Sequence, residues 1–200
     1  MGIQHIFGLF FDPKTEWTKI RDQSLLSKKI KLLPLIVLAA IPAVSGYIGT
    51  TQIGWRIGAG DPVRLTHDTA IIIAFAYYLA LLIGTLSIGW AIQLMGKIYG
   101  TNQPLSRCVT LATYTATPLF LIGIIEIYPL LWLNMLIGVT VLAYTIYLLF
   151  TGLPIMMDIP PERGFLFSIT VLGIGLIALV ALITLTALLW GMGLHPVFTR

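Results

Sequence analysis

The residues of this chain that could do chemistry are few and scattered. His5, His67 and His195 are its histidines, and no two lie close enough in sequence to imply a shared site. Cys108 is the single cysteine. At the start of an apolar run its thiol could be activated by a helix N-terminus, but no His, Lys or acid stands at a helical spacing to partner it inside that run. One cysteine also excludes an intramolecular disulfide and a cysteine-based metal site. There is no G-x-S-x-G elbow, no H-E-x-x-H zinc motif and no Walker-type glycine loop. The expectation is a protein that is not an enzyme, with no catalytic residue, no metal and no cofactor.

The remaining polarity falls into two groups. Thr110, Thr113 and Thr117 recur at helical spacing before Pro118, and Tyr144, Tyr147 and Thr151 do so further on. Within a membrane these form a candidate polar or lipid-contacting path; alternatively their hydroxyls bond backbone groups, including those freed by Pro118. The second group is Thr50, Thr51, Gln52, Trp55 and Arg56 after one apolar run, with Glu126, Tyr128 and Asn134 around the break between two others. These are expected to meet as an external polar cluster, Arg56 answering the partly desolvated carboxylate of Glu126.

The elements that must position these residues are membrane spans. The chain is 58% hydrophobic and 10% charged with mean hydropathy +0.94, against roughly 45 to 50% apolar and about 25% charged in soluble domains. From Cys108 to Met157 it reads as two apolar runs broken at Tyr128-Pro129, with no Lys or Arg inside. Each approaches or exceeds the roughly 20 residues needed to cross about 30 Å of hydrocarbon. The predicted fold is all-α: a polytopic bundle of five transmembrane helices, at about 32–51, 69–95, 108–127, 130–153 and 165–190, after a cytoplasmic amphipathic segment 1–31 and before an external tail 194–200. Pro42 should kink the first span. Ala76, Ala80 and Gly84 give the second a small-residue face.

In the N-terminal segment Asp12 can cap a helix that opens with Pro13 and carries Glu16 in its first turn. Trp17, Phe10 and Phe11 beside several lysines suit an interfacial helix anchored on anionic headgroups. Topology and lipid also explain the net charge of +4 better than nucleic acid does. Six basic residues of this segment, with Lys97, Arg107 and Arg163, fall on one side of the bundle, against Arg56, Arg64 and Arg200 on the other. The positive-inside bias then puts the N-terminus in the cytoplasm and the C-terminus outside.

Four phrases carry a resemblance: Ile48 to Trp55 (Ile-Gly-Thr-Thr-Gln-Ile-Gly-Trp), Ala116 to Leu121 (Ala-Thr-Pro-Leu-Phe-Leu), Tyr128 to Trp132 (Tyr-Pro-Leu-Leu-Trp) and Tyr147 to Pro154 (Tyr-Leu-Leu-Phe-Thr-Gly-Leu-Pro). Together, in order along nearly the whole chain, they resemble the bacterial inner-membrane branch of the Yip family, the Ypt-interacting proteins. The resemblance implies a five-span bundle with a cytoplasmic N-terminus in the bacterial inner membrane. Eukaryotic relatives act in membrane traffic through Rab-type GTPases and through pairing with other Yip-domain proteins. This chain lacks their long N-terminal region and their Asp-Leu-Tyr-Gly-Pro phrase, which argues against a GTPase partner here. Two functions of different class are expected: a non-enzymatic organiser that binds other membrane proteins, itself or lipids, and, as the alternative, a scramblase-like carrier of a lipid or small neutral solute.

Overall fold

In hydrocarbon an apolar run can satisfy its backbone only as a helix, and the computed structural model consists almost wholly of helices. It describes residues 4–25, 30, 32–55, 62–192 and 196–199. Two short helices, α1 (Gln4–Phe11) and α2 (Pro13–Leu25), come first. Five longer elements follow: α3 (Leu33–Ile48) with a π-helical extension Gly49–Ile53, α4 (His67–Gly96), α5 (Leu105–Ile122) with a 3₁₀ extension Gly123–Ile127, α6 (Leu131–Met157) and α7 (Pro161–Gly191). All five, with their extensions, are long and apolar enough to cross a membrane. The only strands among the described residues are β1 (Arg64–Leu65) and β2 (Phe198–Thr199), which pair antiparallel and tie the C-terminal tail to the loop after the first span.

The third span, α5, is the centre of the bundle. Cys108, Thr110, Ala112, Thr113, Thr115 and Thr117 are small side chains that let neighbours approach, and most residues of α5 are buried. Gly89 of α4 lies against the backbone of Val109, where an added methyl group would have no room. At the end of the bundle near the N-terminus, the latch end, Arg107 is buried and its Nη1 donates to Met156 O (3.1 Å) and Asp158 Oδ2 (2.6 Å). Asp158 takes the left-handed conformation (φ 53°) that ends α6. Thr101 Oγ1 donates to Met157 O at 2.8 Å, so the carbonyls left open where α6 stops are bonded.

The N-terminal segment departs from the sequence reading. Asp12 caps α2 as expected, accepting from Thr15 N at 3.3 Å. Trp17, however, is fully buried rather than turned to headgroups: its indole packs where a side chain at Gly152 of α6 would have to sit, and Ile20 and Leu9 join the same core. An aromatic stripe on a basic helix fits a neighbouring helix as well as it fits lipid, and here the helix won. Phe7, Phe10 and Phe11 do stay exposed along one face of α1, and Phe10 stacks on Tyr144.

Folding α1 back on α2 buries a polar knot between them. His5 Nδ1 donates to the Glu16 carboxylate, Lys19 Nζ reaches its other oxygen at 3.2 Å, and Gln23 meets His5 Nε2 at 2.9 Å. Burial alone would raise the Glu16 pKa, but the bonds from His5 and Lys19 outweigh it and hold the carboxyl below its ordinary 4.5. A carboxylate with a lowered folded pKa adds stability above the unfolded value and loses it as pH falls through the folded one. The docking of α1 on α2 should therefore weaken below pH 4.5, seen as hydrogen exchange in α1 faster than intrinsic acid chemistry dictates. In Glu16→Gln, docking should be weak throughout and this acid-dependent component absent.

Candidate functional site

At the opposite, turn end of the bundle, both regular helices give way to irregular backbone at the same level. The first span passes from α to π geometry at Gly49, and the third passes from α to 3₁₀ at Gly123. Sequence explains both. Gly46 and Gly49 strip one face of the first span to backbone, and Thr50 and Thr51 turn their hydroxyls back onto the carbonyls of Gly46 and Tyr47 (2.7 Å each). The 3₁₀ segment then lies directly on that face. A methyl group added at Gly49 would strike the Glu126 carbonyl, and one at Gly123 would strike Pro42. Pro42 is buried within α3, so the donor-free turn around it is covered by this contact rather than by lipid.

Glu126 is the acidic residue inside these spans. Its Oε1 accepts from Tyr77 Oη of α4 at 3.1 Å, and its Oε2 lies over Gly46, 3.0 Å from where a methyl group would stand. The carboxylate thus joins three spans. Tyr77 was not legible in the sequence as its partner, since a lone phenol in a long apolar run reads as packing. Arg56, the partner expected there, lies outside the described residues, as do the other residues of 56–61.

The remaining members of the expected external cluster spread over this end. Gln52 is exposed. Trp55 bridges to Val63 and meets Phe198 edge-on, bracing the strand pair. Tyr128 is exposed, and its carbonyl accepts from Asn134 Nδ2 at 3.3 Å, which closes the Tyr-Pro turn. Thr50 and Thr51 serve their own helix. Of the cluster, the structure brings Glu126 against the glycine face that precedes Thr50, while Trp55 and Asn134 serve other contacts and Gln52 is exposed.

The candidate intramembrane path does not line a surface. Thr113 and Thr117 are buried, and Thr110, Thr113 and Thr117 donate to carbonyls four residues back, Ser106, Val109 and Thr113, at 2.7 to 3.1 Å. Pro118 is buried with them. Buried, and with their protons given to their own helix, these hydroxyls are out of reach of lipid or solute, which corrects the reading of Thr113, Thr117 and Pro118 as a contact path. Tyr144 instead donates to Leu9 O at 2.6 Å and holds α1. Tyr147 is half exposed beside it, and Thr151 is partly buried. A shallow apolar groove of about 360 Å³ runs between α3 and α4, lined by Ala40, Ala43, Ala74, Phe75 and Tyr78. Tyr47 lies at its turn end, 3.2 Å from His67 Nδ1.

The Yip1 domain family matches residues 7–182 of the chain. Over 191 residues, 96% of this chain and 98% of theirs, the sequence is 38% identical to the inner membrane protein YohC of Escherichia coli strain K12 and to that of Escherichia coli O6:H1. Neither description states a catalytic activity. No solved structure matches the chain.

If backbone contact at Gly49 fixes the site, substitution there should differ from substitution at a glycine that touches nothing. Gly49→Ala forces the first span off the Glu126 carbonyl and should cost about 1 to 3 kcal/mol, as overpacking does. Gly84→Ala, where nothing lies within 4 Å, should leave the melting temperature in detergent unchanged or slightly raised. Equal melting temperatures for the two variants would mean that the first span does not depend on this contact.

Proposed function

The chain belongs to the Yip1 domain family, and we propose that it is a non-enzymatic organiser of the membrane that binds other membrane proteins, itself or lipids. Its relatives are named inner membrane proteins and it carries five apolar helices; it is a multi-pass inner-membrane protein. The observation that supports an organiser over a carrier is the state of α5. A carrier path needs polar groups facing a cavity, whereas Thr110, Thr113 and Thr117 of the most buried span are bonded within their own helix. What such a protein offers its surroundings is surface: lipid-facing helices, the exposed phenylalanines of α1, and the turn end with Glu126.

The test is solubilisation in a mild detergent with capture on a tag, reading co-purified proteins and lipids together by mass spectrometry, alongside a fluorescent-lipid scrambling assay in liposomes. A partner, a second copy or a lipid held at constant ratio through washing, with scrambling at the protein-free level, is the expected result. Scrambling well above that level would replace this reading with the carrier.

The proposed orientation has the latch end in the cytoplasm. Lys14, Lys19, Arg21, Lys97, Arg107 and Arg163 belong to that end, while Arg64 lies at the other, where β2 pairs with β1. With buried Cys108 replaced by serine, a membrane-impermeant maleimide should label Thr199→Cys in intact cells and Gly2→Cys only after permeabilisation. The reverse pattern would invert the protein.

A further inference from the structure

We infer that Glu126 and Tyr77 form a lipid-accessible binding site for a primary ammonium group, the headgroup amine of a phospholipid in the leaflet at the turn end. The inference deepens the lipid-binding part of the proposed function and rests on it for the site's being a binding site.

Glu126 stands two residues before the exposed Tyr128 of the turn, at the end of a membrane span. A carboxylate at that depth is costly unless a cation or several donors answer it. Among the described residues one donor does so, Tyr77 Oη at 3.1 Å, and no described Lys, Arg or His forms an ion pair with Glu126. Oε2 lies over Gly46, where the missing side chain leaves the oxygen uncovered by Cβ. The phenol oxygen of Tyr77 donates its proton to Glu126 and keeps lone pairs that can accept a second donor.

The surroundings decide what can reach this pair. Ile72 and Ile73 of α4 and Ile124 of the 3₁₀ segment are exposed on either side of it, and Tyr77 itself is 37% exposed. These are lipid-facing side chains, so the carboxylate opens sideways to the membrane near headgroup level. A ligand arriving there needs positive charge for Glu126 and N–H donors for both Glu126 and Tyr77. A primary ammonium supplies both; a trimethylammonium supplies charge without a donor. A divalent metal wants six or more oxygen ligands, and one carboxylate with one phenol does not provide them. The irregular backbone agrees: π segments inside helices concentrate at functional sites, and the one at Gly49–Ile53 begins on the glycine face that carries Glu126.

The experiment uses the full chain in liposomes and dicyclohexylcarbodiimide, an apolar reagent that adds to carboxyl groups within membranes, with modification at Glu126 read by peptide mass spectrometry. The liposomes hold phosphatidylglycerol mixed with either phosphatidylethanolamine or phosphatidylcholine of identical acyl chains, and a third set holds phosphatidylcholine with free ethanolamine in the buffer. Phosphatidylethanolamine should slow labelling about tenfold relative to phosphatidylcholine, the scale of a charge-assisted hydrogen bond. Tyr77→Phe, which keeps the carboxylate, should lose most of that protection. Protection by free ethanolamine as strong as that by the lipid would assign the site to a soluble amine and overturn the lipid assignment. Equal labelling in both lipid mixtures would overturn the ammonium site altogether, and so would a Glu126 that resists labelling in every mixture, since its carboxylate would then already be paired. A failure here with a protein partner captured as above would leave the organiser reading standing without its headgroup site.

Discussion

The buried guanidinium of Arg107 is the constraint on which the latch end depends. Among the described residues it is the basic side chain sealed inside the protein, 2% exposed, and an uncompensated charge there would cost several kcal/mol. Its compensation comes from the place where α6 stops: the Met156 carbonyl and the Asp158 carboxylate. A cation at a helix C-terminus also meets the negative end of the helix dipole. Asp158 then reaches Arg21 of α2 at 3.7 Å and accepts from Gln103 Nε2 at 3.3 Å. One ion pair therefore registers the third span, the end of the fourth, the preceding loop and the N-terminal hairpin against each other. Arg21 and Asp158 are partly exposed and 3.7 Å apart, so their contact adds little energy; it joins α2 to the end of α6, along which Trp17 meets Gly152.

What sequence shows of this protein follows from which signals are local. Apolar runs broken by Pro, Gly and charge are local, and they yield the five spans to within a few residues. Asp12 before Pro13 is local too, and it caps α2. Partnership is not local. Arg107 reads as a solvated loop charge because it follows a turn, and only the return of α6 to its side reveals why it is buried. Trp17 reads as an anchor because helical periodicity reports an apolar face without saying whether lipid or Gly152 will cover it. Thr110, Thr113 and Thr117 of α5 read as a path because spacing puts them on one side, whereas their hydroxyls bond the carbonyls four residues back. Glu126 is conspicuous as a carboxylate in an apolar run, yet Tyr77 lies far from it in sequence and is joined to it by the packing of three spans.

The two ends of the bundle solve opposite problems. At the latch end charged side chains satisfy helix termini and the buried charges are paired: Arg107 with Asp158, Glu16 with His5 and Lys19. At the turn end side chains are removed. Gly49 and Gly123 let one span lie close against another, Gly46 leaves room for the Glu126 carboxylate, and among the described residues that carboxylate is held by a single phenol. A site fully paired within the protein rigidifies it and has nothing left to offer a ligand. An incompletely answered carboxylate does have something to offer, so ligand chemistry is to be sought at the turn end.

Helix length places the N-terminal hairpin relative to the membrane. The last two spans are 27 and 31 residues long, about 40 to 46 Å at 1.5 Å per residue, against about 30 Å of hydrocarbon. The excess of some 10 Å or more is taken up by tilt or stands outside it. Trp190 of α7 and Trp132 of α6, exposed at the turn end, mark an aromatic belt there, so what stands outside does so at the latch end. That is where α1 and α2 pack, from Arg21 beside Asp158 down to Leu9 on Tyr144. Tyr144 is thirteen residues before Met157, about 20 Å along the helix. The hairpin therefore reaches further down α6 than the roughly 10 Å by which that helix exceeds the hydrocarbon. It is covered there by protein: Trp17 enters the core, Phe10 stacks on Tyr144, and buried Glu16 and His5 answer each other.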